Sequence, residues 1–213
     1  MSTRLRNLSQ QFDFGKLYIP EDIVTMSSPC TPHSNGRELT EVLPPLGTHW
    51  SGRLFVGSAN AVRLNPHIVG ESVILRFVSS NDVICRNLIE CILPDNSNGA
   101  AAMETCIRQH AQPVLDMLHN GETVIVHCHE GISRSVTFVA ALLQLHAFNC
   151  NYLFDASRYG NAYIASLRLL PNGHHVNATD INFGFAGILY KLFNDYRTLN
   201  PNTQVSELYP CHF

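Results

Sequence analysis

Lysine is nearly missing from this chain: of its 14 Lys and Arg residues, only Lys16 and Lys191 are lysines. The formal net charge is −3 with histidines neutral, so the positive excess that nucleic acid or a polyanionic surface demands is absent. Long apolar runs are missing too. The most apolar segment, Val136 to Leu145, is too short to cross a bilayer, and residues 1–20 hold no apolar stretch of the kind a secretory leader needs. Ser2 stands where myristoylation needs glycine, and Cys211 is third from the end, so neither lipid anchor is expected. No CxxC pair occurs among the seven cysteines (30, 85, 91, 106, 128, 150, 211). An odd, scattered set in a chain of this size suits a reducing compartment better than a disulfide scaffold. These absences predict a cytoplasmic protein, with the nucleus also open to it, that binds neither nucleic acid nor membrane.

What is present suffices for one domain with a sizeable core: 213 residues, 45% hydrophobic and 15% charged. Residues 1–48, broken by Ser27-Ser28-Pro29-Cys30-Thr31-Pro32 and Pro44-Pro45, lack sustained periodicity and read as a partly irregular N-terminal extension. The domain is expected over 49–200, with a tail over 201–213. Leu54-Phe55-Val56, Ser72 to Val78, Asn87 to Leu93 and Thr123 to His127 have the look of strands. Helices are predicted over 59–64, 101–118, 133–148, 152–169 and 180–195, with Pro113 expected to kink the second. Pro94-Asp95-Asn96-Ser97-Asn98-Gly99 is a loop. Strands alternating with helices predict an α/β fold whose central, largely parallel mixed sheet is flanked by helices.

The most telling segment is His127-Cys128-His129-Glu130-Gly131-Ile132-Ser133-Arg134-Ser135. One cysteine ends an apolar strand, and an arginine follows six positions later (134 − 128 = 6) where a helix begins. Strand, tight loop and helix N-terminus make an anion cradle. The amides of His129, Glu130, Gly131, Ile132 and Ser133 converge on it, and Arg134 can grip a phosphate with two donors at once. Gly131 lets the loop curl without a Cβ clash. Those donors, the helix terminus and hydrogen bonds arranged by His127 would also favour the thiolate of Cys128, the reactive form of a cysteine. The arrangement suits nucleophilic attack on phosphorus. No metal site is expected at His127 and His129, because neighbouring strand positions face opposite ways and no second ligand pair follows at finger-like spacing. His174-His175 reads as a polar loop pair.

These nine residues resemble the signature of cysteine-dependent protein phosphatases, Cys-x5-Arg-Ser/Thr preceded by His, and the Gly-Ile-Ser-Arg-Ser wording is similar to that of the dual-specificity branch. The resemblance extends more faintly over about residues 50–195, through Leu54 to Ala59 and Phe185 to Leu192. It implies a phosphatase fold, attack by Cys128 to give a cysteinyl-phosphate, and hydrolysis of that intermediate without metal or cofactor. Ser135 would ease departure of the thiolate. A carboxylic acid is needed to protonate the leaving oxygen, and Asp95, on a loop 33 residues before the cysteine (128 − 95 = 33), fits the spacing the resemblance implies. Asp82, Glu90 and Glu104 are weaker candidates, and Asp116 is expected only to solvate a helix.

The expected activity is hydrolysis of phosphotyrosine and phosphoserine or phosphothreonine in phosphoprotein substrates, with protein kinases as further candidate partners through the docking-like Arg4-Leu5-Arg6. The alternatives are the same chemistry on a lipid, a glucan or an RNA 5′ end, or a catalytically silent phosphopeptide-binding module. Glu130 argues against crowded polyanions through like-charge repulsion. Cys85 and Cys91, near the strand that leads to Asp95, are candidates to trap Cys128 in a reversible disulfide.

Overall fold

The computed structural model describes residues 38–44, 48–79, 84–151, 153–154, 181–201, 203 and 205–206. Arg4-Leu5-Arg6, Asp82, Pro171 to Gly173, His174-His175 and most of the helix predicted over 152–169 lie outside them. In chain order the elements are β1 (Thr40–Val42), β2 (Arg53–Ser58), α1 (Ala59–Leu64), α2 (Pro66–Val69), β3 (Val73–Arg76) and β4 (Asn87–Glu90). A 3-10 turn (Ser97–Gly99) follows, then α3 (Ala100–His119), β5 (Thr123–Cys128), α4 (Arg134–Asn149), β6 (Leu153–Phe154), α5 (Phe183–Leu199) and β7 (Val205–Ser206).

Five strands form one sheet in the order β1-β2-β5-β3-β4. All neighbours run parallel except β1, which is antiparallel to β2. The fold class is therefore α/β with a mixed, mostly parallel sheet, as the alternation of patterns predicts. β5 lies at the centre, and its Val124, Ile125 and Val126 are wholly buried, which is why its sequence is an unbroken β-branched run rather than an alternating one. Successive residues still face opposite ways. Val124, Val126 and Cys128 join Leu54, Val56, Val73 and Leu75 in the large core that Met103, Leu115, Phe138, Leu142 and Phe185 complete. Ile125 joins Phe55 and Ile74 in a smaller core under Val62 and Val69. Cys128 thus belongs to the face that carries α3, α4 and α5.

The helices explain their own placement. α3 buries Met103, Cys106, Ile107, Ala111, Val114, Leu115 and Leu118, a single stripe at helical spacing. α4 is buried almost all round, from Ser135 through Gln144. α3 and α5 are tied across their exposed sides by Glu104 to Lys191 at 2.7 Å and Arg108 to Asp195 at 3.2 Å. α3 stops where Gly121 adopts a left-handed φ of 85° and its amide turns back to the Leu118 carbonyl at 3.2 Å. No helix among the described residues is long and apolar enough to cross a membrane.

One expectation needs correction and two segments gain detail. Thr40–Val42, inside the segment expected to be partly irregular, adds an edge strand to β2. Three residues are too few to show a period, and main-chain pairing with a sheet edge supplies what the side chains do not. α3 runs on through Pro113. The proline sits on the exposed face, as does Gln109, whose carbonyl it cannot serve, so water can take up the missing bond. Leu153–Phe154 is a strand paired with Val205–Ser206, not the start of a helix, because Asn151 turns left-handed (φ 62°) two residues after α4 ends.

One buried group makes the core acid-sensitive. His146 of α4 is 1% exposed, packs against Trp50 and His119 at ring distances of 5.0 and 5.4 Å, and has no hydrogen-bond partner on either ring nitrogen among the described residues. Burial lowers its pKa from 6.5 to about 4. The unfolded chain then takes up the proton first, so the stability is intact above about pH 6.5 and is lost as the pH falls toward 4, at up to about 1.4 kcal/mol per unit. Urea denaturation at pH 6.5 and 4.5 should show His146→Phe, which keeps the ring contacts, losing about 2 kcal/mol less than the parent. Equal losses in the two proteins would refute the assignment.

Candidate active site

The register β2–β5 pairs Ser58 with Cys128, so the loop after β5 opens beside the first turn of α1. Ser58 caps α1 by accepting from the Ala61 amide at 3.1 Å. The Ala59 amide donates to the His129 carbonyl at 3.2 Å and pins the loop to that helix. Gly131 holds a φ of 74°, a left-handed conformation that side chains resist. That turn brings its amide to 3.3 Å from Cys128 Sγ. Ser135 Oγ lies at the same distance from the sulfur, 3.3 Å. Cys128 is 1% exposed, and these two contacts are the polar ones its sulfur makes among the described residues.

Arg134 begins α4 and is positioned by backbone as much as by charge. Its Nη1 donates to the Phe77 carbonyl at 3.2 Å and to the Leu93 carbonyl at 3.1 Å, while Nε donates to Asp95 Oδ2 at 3.1 Å. Nη2 has no protein partner among the described residues. Asp95 receives a second bond on its other oxygen, from Ser133 Oγ at 2.7 Å. Ser133 therefore does not cap α4 with its side chain, although its carbonyl accepts from both the amide and the hydroxyl of Thr137 at 2.8 Å. The opening amides of α4 are left able to bind an anion.

The fold thus brings Cys128, Gly131, Ser133, Arg134, Ser135 and Asp95 into one cluster. His129 and Glu130 are exposed and lie against each other, Nε2 to Oε1 at 3.2 Å, so any phosphate contact from them is through the main chain. Ile132 is half-buried. His127 is fully buried on the opposite side of β5 from Cys128, in register with Arg76. Its Nδ1 lies 3.4 Å from the Cys128 carbonyl oxygen, and Nε2 is without a partner among the described residues. Burial lowers its pKa to about 4, so the ring is neutral at pH 7. It acts on the backbone of Cys128 rather than on the sulfur.

The weaker acid candidates are elsewhere. Glu90 pairs with Arg76, and Glu104 is held by Arg108 and Lys191 on the outside of α3. Asp116 accepts from Gln112 on the same helix at 2.9 Å. The sulfurs of Cys91 and Cys106 lie within 4.8 Å of each other, and Cys85 donates to the Asn87 carbonyl at 3.3 Å. The carbonyls of Phe77 and Leu93 escaped the sequence reading, since a carbonyl carries no sequence signal. The bond from the Ser133 hydroxyl to Asp95 likewise spans a sequence distance no pattern shows.

The chain has the fold of the dual-specificity phosphatases. Human DUSP28 superposes with a TM-score of 0.50 at 16% identity, covering 68% of this chain and 90% of that one. A point variant of human DUSP28 superposes with a TM-score of 0.53 at 18% identity, covering 76% and 98%. No protein-family model and no curated protein matches the sequence. At such identity the likeness speaks for the fold, and the chemistry rests on the residues above.

Gly131→Ala should cost about 1 kcal/mol of stability from its left-handed φ, measurable by urea denaturation. It should also weaken binding of inorganic phosphate by more than tenfold (about 1.4 kcal/mol) in calorimetric titration, because the loop amides lose their common direction. Unchanged phosphate affinity would show that the loop is not the anion cradle.

Proposed function

We propose that the chain is a protein phosphatase that hydrolyses phosphotyrosine and phosphoserine or phosphothreonine in phosphoproteins. One observation carries this reading: Asp95, from the loop after β4, meets Ser133 and Arg134 of the loop that also holds Cys128. A thiol nucleophile, an anion-binding guanidinium and a proton donor then share one site. The fold shared with dual-specificity phosphatases agrees with it.

The chemistry follows from the geometry. A phosphoryl dianion enters the cradle, takes up Nη2 and displaces the Asp95 carboxylate from Nε, since the dianion is the stronger acceptor. The freed carboxyl is then placed to serve as the proton donor. Cys128 attacks phosphorus in line, so that an S–P bond forms as the P–O bond to the substrate breaks, and the departing oxygen takes the proton of Asp95. The Asp95 carboxylate next receives a proton from water as that water attacks phosphorus. The S–P bond breaks, Ser135 donates to the leaving thiolate, and inorganic phosphate is freed. Loop amides and Arg134 hold the equatorial oxygens throughout. No metal or cofactor is needed for any of these steps.

Substrate choice among phosphates follows from the rim. Glu130 is exposed there with His129 as its neighbour, and a carboxylate at the mouth repels inositol phosphates or RNA triphosphate ends more than it repels a single phosphoryl group. This favours singly phosphorylated substrates such as phosphoproteins over inositol phosphates and RNA triphosphate ends.

Cys128→Ser should lower turnover of para-nitrophenyl phosphate by about three orders of magnitude or more while phosphate still binds. Asp95→Asn should slow phosphoserine peptides about 100-fold or more, yet slow aryl esters with good leaving groups less than about tenfold. Steady-state kinetics over a leaving-group series reads both effects. Uniform slowing would remove Asp95 from the acid role. A wild-type protein that binds phosphopeptides but turns over no substrate under reducing conditions would be a binding module instead.

A further inference from the structure

Away from the cradle, the fold gathers three soft-metal ligands that no linear motif announces. Cys106 and His110 stand one helical turn apart on α3 (110 − 106 = 4), so both project from the same side of the helix. Cys91 follows β4, with its amide donating to the Arg76 carbonyl at 2.9 Å. The two sulfurs and one imidazole nitrogen all lie within 4.8 Å of one another. From these positions we infer that Cys91, Cys106 and His110 form a zinc site that fastens the root of the Asp95 loop to α3.

The dimensions fit. In a tetrahedral zinc centre, bond lengths of about 2.3 Å to sulfur and about 2.0 Å to nitrogen place ligand atoms roughly 3.5–3.8 Å apart. The observed limit of 4.8 Å exceeds that by about 1 Å, within reach of small side-chain rotations. The charge fits as well. Two thiolates and a neutral imidazole around Zn²⁺ sum to zero, so no net charge is stranded, although Cys106 is 4% exposed. Binding forms two Zn–S bonds and one Zn–N bond, releases both thiol protons to solvent, and leaves a fourth position for water. No electron is exchanged. Thiolate and imidazole together favour zinc over magnesium or calcium.

Position gives the site its meaning. Cys91 precedes Asp95 by four residues (95 − 91 = 4), and Leu93 between them gives its carbonyl to Arg134. A metal bridge from Cys91 to α3 would anchor the segment that aims both side chains. The inference does not depend on the phosphatase reading, because the ligands are separate from the cradle.

The test uses the full chain carrying Cys128→Ser, so that the cradle's thiol cannot take the metal, with Co²⁺ as a spectroscopic probe and Zn²⁺ as its competitor. One equivalent of Co²⁺ should give thiolate charge-transfer absorption and the intense visible bands of tetrahedral cobalt, and one equivalent of Zn²⁺ should abolish both. Cys91→Ser and His110→Ala, neither of which removes a fully buried side chain, should each weaken binding about 100-fold or more, whereas Cys85→Ser should leave it unchanged. Three outcomes would overturn the site: less than one equivalent bound, bands that persist in the Cys91→Ser/His110→Ala double variant, or a Cys91–Cys106 disulfide in reductant-purified protein that takes up no metal.

Discussion

Everything at the candidate site hangs on a strand with no exposed face. β5 is paired on both edges and covered on both sides, so its register with β2 and β3 cannot slip by one residue without turning its whole side-chain set over. A one-residue slip would send Cys128 among α1 and α2 and bring His127 under α4. The burial of Val124, Ile125 and Val126, each worth about 1.5–3 kcal/mol against exposure, is therefore also what aims the sulfur. Core packing and active-site geometry are here one constraint.

Arg134 carries that constraint to the neighbouring strands. Its guanidinium holds the carbonyls that follow β3 and β4 as well as the carboxylate of Asp95. Asp95 and a phosphate would compete for the same donor, and under the proposed reading this competition orders the steps. The carboxylate screens the guanidinium while the cradle awaits substrate, and substrate frees the carboxyl as it binds. The side chain of Arg134 is only 12% exposed, so the exchange takes place where water weakens charges little.

How much of this the sequence disclosed varies with the range of the interaction. Strand β5, its loop and α4 were legible because their period, glycine and terminal apolar run are local. α3 was legible from Met103 through Leu118, and the stripe matches the buried side chains. Asp95 could be placed on its loop, but its two bonds to Ser133 and Arg134 join residues 38 and 39 positions apart, a distance that no pattern encodes. β1 was missed because three residues form a strand by borrowing another strand's edge. The Cys91, Cys106 and His110 cluster was invisible for the same reason. Its parts lie on separate elements, and only the packing of α3 near the end of β4 makes them neighbours.

Ser133 shows what that geometry implies for the fold itself. At the start of α4 a serine ordinarily closes the helix by accepting from its first amides, yet this one gives its hydroxyl to Asp95 instead. The most buried helix of the described core therefore begins without its own end-piece. A bound anion would supply it, and in doing so would complete secondary structure as much as occupy a site. Ligand and fold would then share one hydrogen-bonding deficit, which an anion in the loop would fill.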